Sequence, residues 1–185
     1  MNIKDAIASR RTVRSFCDEP VDFEILKKIC EDSRLYASSA NLQPIRYKIV
    51  NDKPTADLIF QHIHLAGYIP NYEVEPQNQP PAYILLLTER KVDENPQFDV
   101  GAASTNIMLL AKEYGLDTCC IGNFSKKEIT DILKIDAERY KPLYLIAIGK
   151  SHQDNSIISL KDTVRYEYSD GNFIVPKRDI EDIII

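Results

Sequence analysis

The chain of 185 residues has no tryptophan, only six glycines and only four cysteines. The cysteines form no C-x-x-C pair and no spacing typical of metal ligands. A disulfide scaffold and a structural zinc site are therefore disfavoured, and a reducing compartment is expected. Neither G-x-G-x-x-G nor a P-loop motif is present, which argues against dinucleotide-fold proteins and NTPases.

Basic charge is not in excess, and long apolar runs are missing. The 23 Lys and Arg residues oppose 28 Asp and Glu, and the net charge of −5 disfavours a nucleic-acid partner. No run approaches the ~20 apolar residues that span a bilayer. The start, MNIKDAIASRR, is charged from its fourth residue and is unlike a secretion signal. The sequence predicts one cytoplasmic globular domain over residues 1–185, with no membrane partner.

Apolar periodicity predicts alternating helices and strands. Helices are expected over 2–9, after an Asp22 cap, over 57–66, over 98–114, and from a Ser125–Glu128 capping box to Leu133. Strands are expected over 45–50, 83–87, 118–121, 143–148 and 173–175. Because 83–87 and 143–148 are almost entirely apolar, these strands should be covered on both faces. That pattern indicates a layered α/β or α+β fold with a mixed sheet.

The first candidate for chemistry is the basic stretch Arg10-Arg11-Thr12-Val13-Arg14 near the start. Guanidinium groups bind phosphate oxygens bidentately, and a hydroxyl adds a further donor. The stretch therefore suits a phosphate group. A solvated basic turn would show the same spacing, and spacing alone does not separate the two interpretations.

The second candidate is the polar loop Ser38-Ser39-Ala40-Asn41-Leu42-Gln43-Pro44. Its hydroxyl and carboxamide groups are uncharged donors and acceptors, which suit the edge of a planar heteroaromatic ring or a ribityl chain. The alternative is a polar connection between a helix and a strand, without any ligand.

The third candidate is the strand end Cys119-Cys120-Ile121-Gly122. Gly122 has no Cβ, so backbone N–H groups there can approach a ligand closely. The neighbouring cysteines should face opposite sides of the strand and behave as small buried apolar residues rather than a catalytic pair. His62 and His64, two residues apart on an expected helix, do not face each other, and no metal site is predicted.

Two further segments stand out. Residues 67–81 form a long polar stretch with four prolines, which is typical of a functional loop and makes them a candidate lid. The tail, 151–185, is charged and carries tyrosines, an Asp170-Gly171 turn and an apolar end, Ile183 to Ile185. An exposed isoleucine triplet is costly, so this end is expected to pack on another surface, such as a second subunit.

The order of these motifs resembles the nitroreductase family of FMN-dependent oxidoreductases, in a short bacterial branch. The resemblance is carried by R-R-T-V-R-S-F, S-S-A-N-L-Q-P, D-V-G-A-A-S-T-N-I-M-L-L-A-K-E-Y-G-L-D-T-C-C-I-G, L-I-A-I-G-K and the tail V-R-Y-E-Y-S-D-G-N-F-I-V-P-K-R-D-I-E-D-I-I-I. It covers nearly the whole chain, from Ile3 to Ile185. One departure matters: Cys120, Gly122 and Asn123 replace the family's P-I-E-G, so no glutamate is expected beside the flavin N5.

The resemblance implies an α+β three-layer fold with a mixed, mainly antiparallel sheet flanked by helices. It also implies a homodimer with FMN at the interface and a C-terminal segment that extends onto the partner subunit. By the same resemblance, Arg10, Arg11 and Thr12 bind the FMN phosphate, with Arg165 or Lys161 as a second phosphate contact, and Arg14 lies along the ribityl chain and pyrimidine edge. Ser38, Ser39 and Asn41 contact the cofactor from the other subunit, and Gln43 supports their loop. Cys120 and the backbone of Ile121 and Gly122 lie near N5.

The implied activity is ping-pong hydride transfer from NAD(P)H through flavin N5 to a nitroaromatic, quinone or similar acceptor. No side chain is expected to act as acid, base or nucleophile, because the cofactor carries the chemistry. Arg14 is expected to act as an electrostatic stabiliser of the reduced flavin. Two alternatives remain at this stage: a non-catalytic flavin-binding or storage protein, and a specialised flavin-dependent dehydrogenase.

Overall fold

The computed structural model describes residues 1–185. Five α-helices are present: α1 (Ile3–Ser9), α2 (Phe23–Ser33), α3 (Lys53–Phe60), α4 (Gln97–Glu113) and α5 (Lys126–Ile132). Seven strands form two sheets: β1 (Ile45–Val50), β2 (Ala82–Glu89), β3 (Asp117–Ile121), β4 (Tyr140–Gly149), β5 (Ser156–Ser159), β6 (Glu167–Ser169) and β7 (Asn172–Lys177). No helix is both long enough and apolar enough to cross a membrane.

The central sheet has the strand order β1-β2-β4-β3, and all three strand pairs are antiparallel. A parallel bridge from Thr12 to Thr118 adds the N-terminal basic stretch along the β3 edge. The sheet is therefore mixed only at this edge. The C-terminal sheet has the order β5-β7-β6, with β5 parallel to β7.

Both faces of the central sheet are buried, as the apolar strands predicted. On β2, Ile84 and Leu86 belong to a core with residues of α2 and α4. The alternate residues, Leu85 and Leu87, belong to a second core with residues of α3 and α5. Because successive side chains of a strand point to opposite faces, an unbroken apolar strand serves two cores. The predicted three-layer α+β fold is confirmed.

Helix termini show where local sequence signals were right and where they were wrong. Asp22 caps α2 as predicted, since its side chain accepts a hydrogen bond from the Glu24 amide. The predicted helix 57–66 is instead α3, which starts earlier because Asp52 caps it and Pro54 suits its first turn. Ser125 occupies the N-cap position of α5 but makes no side-chain hydrogen bond there, so the predicted capping box is wrong.

The tail folds back onto its own chain through β5, β6 and β7. Asp170 and Gly171 have positive φ angles of 51° and 83° and form the predicted turn between β6 and β7. The ring of Phe173, on β7, is fully buried. Residues 183–185 are exposed, so the extension onto a partner subunit stays a prediction.

Candidate functional site

The basic stretch is fixed by two buried apolar side chains and a backbone bridge. Val13 and Phe16 are in the core, and the Val13 amide donates to the Thr118 carbonyl over 3.1 Å. With these anchors buried, Arg10, Arg11 and Arg14 are left half-buried along the β3 edge. Burial of Val13 and Phe16 therefore leaves the three arginines as a row of positive charge along this edge.

No carboxylate neutralises this charge. The ion pairs of the structure involve other residues and include none of Arg10, Arg11 and Arg14. Arg11 donates through Nη1 to the Arg10 carbonyl over 2.8 Å, but its Nε is buried without an acceptor. Burial, followed by the charge of Arg11, lowers the pKa of Arg10. Half-buried cations without anions fit a phosphate-bearing cofactor.

Arg14 differs from its neighbours because its guanidinium lies on aromatic rings. Its Cζ is 4.3 Å from the centre of Phe173 and 4.7 Å from the centre of Tyr166. Gln153 accepts hydrogen bonds from the backbone amides of Arg14 and Ser15, over 2.7 and 3.3 Å. The N-terminal stretch and the tail, which are distant in sequence, therefore meet at Arg14.

The polar loop is held by a buried carboxylate that sequence reasoning missed. Asp99, only 1% exposed, lies in the first turn of α4. The Ser38 hydroxyl donates to Asp99 Oδ1 over 2.5 Å, and the Ser39 amide donates to Oδ2 over 3.3 Å. The Gln43 amide donates to the Ser38 hydroxyl over 2.8 Å. An acidic residue within the apolar pattern of 98–114 was the available signal.

The loop has an unusual backbone. Ala40, Asn41 and Gln43 have φ angles of 48°, 55° and 50°, which side-chain-bearing residues adopt infrequently. Gln43 Nε2 donates to Asn41 Oδ1 over 3.1 Å and thus braces the loop. The Ser38 hydroxyl is engaged with Asp99 and Gln43, whereas Ser39, Asn41 and Gln43 are the loop's exposed polar residues.

Removing the Asp99 carboxylate should loosen this loop. Asp99→Ala leaves the Ser38 hydroxyl and the Ser39 amide without their acceptor, and we expect the free energy of unfolding to fall by about 1–3 kcal/mol. Asp99→Asn retains an acceptor oxygen and should lose less. Urea denaturation measures both. Asp18→Ala, at an exposed aspartate without a hydrogen-bond partner, is the control, and an equal loss there would remove Asp99 from this role.

The strand end of β3 is filled by the protein's own side chains. Cys119 contributes to one core and Cys120 packs against the other, as expected for neighbours on a strand. A Cβ built on Gly122 would lie 3.0 Å from Tyr144 Cε1. The missing Cβ thus lets the Tyr144 ring pack closely on Gly122, an intramolecular contact that the sequence did not indicate. Approach of the Ile121 and Gly122 backbone to a flavin stays a prediction.

The buried thiols should be unreactive. Burial raises the pKa of Cys119 and of Cys30 to about 12 and that of Cys120 to about 11. A raised pKa keeps a thiol protonated, and at pH 7 a thiol of pKa about 11 is ionised about once in ten thousand molecules. Cys17 and Cys120 are both partly exposed. Because its raised pKa keeps Cys120 protonated, we expect 5,5′-dithiobis(2-nitrobenzoate) to react fast at Cys17 alone in native protein. Cys17→Ser should abolish the fast phase; a fast phase that survives would contradict this.

The two tail residues predicted to contact the phosphate line a groove that includes none of the arginines of the basic stretch. Lys161 and Arg165 line a groove of about 180 Å³ that also contains the carboxylates of Asp162 and Glu167. The Arg165 guanidinium is 5.5 Å from the Tyr68 ring centre, and Tyr68 contacts Tyr166. Arg165 is thus linked to Arg14 through two rings. A joint contact of Arg165 or Lys161 with the phosphate stays a prediction.

The polar loop and the basic stretch cannot meet within one chain. The loop precedes Ile45 at the start of β1, while Thr12 lies beside Thr118 on β3, the other edge of the sheet. Three strand spacings separate these edges by about 14 Å. The two sets also lie at opposite ends of the sheet. Ile45, next to the loop, pairs with Thr88 at one end of β2. Thr118, next to the basic stretch, shares its β4 partner with Ala82, at the other end of β2. Within one chain the two sets therefore lie at different edges and different ends of the sheet.

The chain is similar to proteins of one known family. The model of the Nitroreductase family matches residues 7–150. A Bacillus subtilis (strain 168) protein named "Putative NAD(P)H nitroreductase YdgI" is 27% identical over 183 residues, covering 80% of this chain and 87% of that protein. An FMN-dependent nitroreductase from Clostridium difficile R20291 has a TM-score of 0.67 at 25% identity, covering 80% of this chain and 86% of that one.

A crystallised chain from Exiguobacterium sibiricum 255-15, in complex with FMN, shares the fold over the full length. Its TM-score is 0.72 at 19% identity, covering 100% of this chain and 97% of that one. The family model spans well over half of the residues, from the start of the basic stretch to the end of β4. The resemblance seen in the sequence is confirmed, and the chain belongs to the nitroreductase family.

Proposed function

We propose that the chain is an FMN-dependent oxidoreductase that takes a hydride from NAD(P)H and passes it to a nitroaromatic, quinone or similar acceptor. The observation that carries the proposal is the row of half-buried guanidinium groups without carboxylate partners at the β3 edge, in a member of the nitroreductase family. The names of its relatives, which include NAD(P)H nitroreductase and FMN-dependent nitroreductase, support it.

The proposed phosphate contacts are Arg10, Arg11 and Thr12. A guanidinium donates two parallel hydrogen bonds to phosphate oxygens. The buried Arg11 Nε, which lacks an acceptor, would gain one. The backbone carbonyl of Thr12 accepts a hydrogen bond from Asn155 Nδ2 over 2.9 Å. The Thr12 hydroxyl takes no part in this bond and would be available to the phosphate. Neutralising these charges would offset the cost of keeping them half-buried.

Arg14 is proposed to provide positive charge near the pyrimidine edge. FMN, when bound, supplies the hydride chemistry, and the chain supplies binding and orientation. A fixed cation stabilises negative charge on the cofactor. Because the reduced form of FMN carries more negative charge than the oxidised form, Arg14 would favour the reduced form. The thiols near the site stay protonated and are not assigned a role in proton transfer.

The site is proposed to form between two copies of the chain. Ser39 and Asn41 are exposed at the edge of the sheet opposite the basic stretch, so they would reach a cofactor bound by the partner. Asp99 and Gln43 hold the loop in position for this contact. The exposed Ile183 to Ile185 would be covered if the tail extends onto the partner subunit.

Residues 67–81 are proposed as a lid over the acceptor side. Tyr68 and Tyr72 pack against tail aromatic residues next to Arg14, at ring-centre distances of 4.9 Å to Tyr166 and 5.5 Å to Phe173. A shortened segment should change the ratio of kcat/KM between nitroaromatic and quinone acceptors more than the bound FMN content. A loss of FMN with unchanged acceptor preference would contradict a lid.

The decisive experiment is anaerobic spectroscopy of the FMN-loaded protein. The proposal predicts a flavin spectrum that NADPH or NADH bleaches and that menadione or a nitroaromatic restores, with a gel-filtration size of two chains. FMN binding without bleaching would favour a storage protein, and bleaching by a different reduced donor would favour a specialised dehydrogenase. A colourless monomer that takes up no FMN would refute the proposal.

A further inference from the structure

The aromatic environment of Arg14 is built from residues of the tail. The guanidinium lies on the faces of Phe173 and Tyr166 and forms no ion pair. Attraction between a cation and the negative face of a ring is strongest where both are shielded from water. Phe173 is fully buried and Arg14 half-buried, so this contact is shielded.

Two amide side chains fix the rings relative to the Arg14 backbone. Gln153 accepts from the Arg14 amide and donates through Nε2 to the Gly171 carbonyl over 2.8 Å, at the turn that precedes Phe173. Asn155 donates to the Thr12 carbonyl over 2.9 Å and accepts from the Phe173 amide over 2.7 Å. Each amide joins the basic stretch to the hairpin, so both partners of the contact are held in register.

Two further tyrosines support these rings from outside. Tyr68 packs on Tyr166 at 4.9 Å, and Tyr72 packs on Phe173 at 5.5 Å. Arginine loses considerable rotamer entropy when it is ordered. The supported rings restrict the side chain before any ligand arrives.

We propose that Phe173 and Tyr166 are positioning residues that hold the Arg14 guanidinium in the orientation in which it meets the cofactor. The tail thereby sets cofactor affinity and redox potential without touching the reacting atoms. The inference rests on the proposed function, since it requires that the basic stretch binds FMN.

Preorganisation makes the expected effect measurable. Without a ring, the cofactor must order Arg14 itself, and FMN binding should weaken by about 3- to 30-fold, the range of a shielded cation–π contact. Binding of the reduced form should weaken more than binding of the oxidised form. For a two-electron couple, each tenfold difference between the two lowers the reduction potential by about 30 mV.

The test compares four variants. Tyr166→Leu and Phe173→Leu remove one ring face each, whereas Tyr166→Phe keeps the ring. Tyr140→Leu is the matched control, because the Tyr140 ring also packs under an arginine, with Arg139 Cζ 4.9 Å from its centre, but is not one of the rings around Arg14. The measurements are FMN affinity by fluorescence titration of FMN-free protein and reduction potential by dye equilibration. The ¹⁵N–¹H signal of Arg14 Nε in FMN-free protein, assigned with Arg14→Lys, reports the contact directly.

The leucine variants at 166 and 173 should bind FMN about 3- to 30-fold more weakly at a lower potential, with the Arg14 signal shifted towards that of exposed arginines. Tyr166→Phe and Tyr140→Leu should behave like the wild type. The proposal is overturned if the Arg14 signal and FMN affinity of Tyr166→Leu match the wild type, or if Tyr140→Leu loses as much. If the wild type binds no FMN at all, the proposed function itself fails, whatever the Arg14 signal shows.

Discussion

Replacing Arg10 with alanine is expected to weaken FMN binding by about 10- to 100-fold, the largest loss we predict for a single residue of the basic stretch. A hydrogen bond to a charged group contributes about 1.5–3 kcal/mol, and every 1.4 kcal/mol is tenfold in affinity. Arg10 is half-buried and has no carboxylate partner, so the whole of its charge is available to a phosphate. Fluorescence titration of the FMN-free protein measures the loss.

The matched control for Arg10→Ala is Arg34→Ala. Arg34 follows α2, is exposed and forms no ion pair. Its removal therefore changes the net charge by the same amount as Arg10→Ala, but outside the basic stretch. FMN affinity of Arg34→Ala should match the wild type. The loss in Arg10→Ala should also shrink as salt is raised, because screening weakens the wild-type contact. Equal losses in the two variants would mean that net charge, and not a phosphate contact at Arg10, governs binding.

The layered fold was predictable because it depends on patterns that repeat over many residues. The apolar stretch Tyr83 to Leu87 is long enough to indicate a strand covered on both faces, and β2 serves two cores. Helix boundaries were less predictable, because a cap depends on one side chain. The Asp52 cap starts α3 at Lys53, four residues before the apolar pattern suggested, while the Ser125 side chain makes no hydrogen bond to the α5 amides.

The candidate site was predictable in its motifs but not in its connections. The basic stretch and the polar loop are visible in the sequence, whereas the partners that hold them are single residues from distant segments. Asp99 holds the loop from α4, and Gln153 and Asn155 hold the basic stretch from the tail. Such contacts carry no local periodicity. The position of Arg14 on Phe173 likewise follows only from the tertiary fold.

Gly122 shows that a glycine picked out by the sequence can also have a role in packing that the sequence does not indicate. The sequence suggested that the missing Cβ admits a ligand, and the structure shows that it admits the ring of Tyr144 from β4. A glycine at a strand end indicates close approach of another group, but the sequence does not say which. The nature of the neighbour depends on the register of β3 and β4, in which Ile121 pairs with Leu145.

Shortening Ile84 or Leu85 to alanine is expected to lower the free energy of unfolding by about 2–5 kcal/mol in each case, the largest stability losses we predict. The two residues are neighbours on β2, both 0% exposed, and they face different cores. A sheet with one face in water would show a large loss at only one of them. Urea denaturation of FMN-free protein at one fixed protein concentration measures both, because bound cofactor and subunit association would add to stability.

Leu58→Ala is the control for this pair. Leu58 lies on α3 and is 48% exposed, so its side chain gains little from burial, and the loss of unfolding free energy should stay below about 1 kcal/mol. Each truncation opens space on a different face of the sheet. If the two cores respond independently, the loss in the double variant should be close to the sum of the Ile84 and Leu85 losses. A small loss at either residue would mean that one helix layer is poorly packed, and the three-layer arrangement that aligns the basic stretch with the β3 edge would then lack its support.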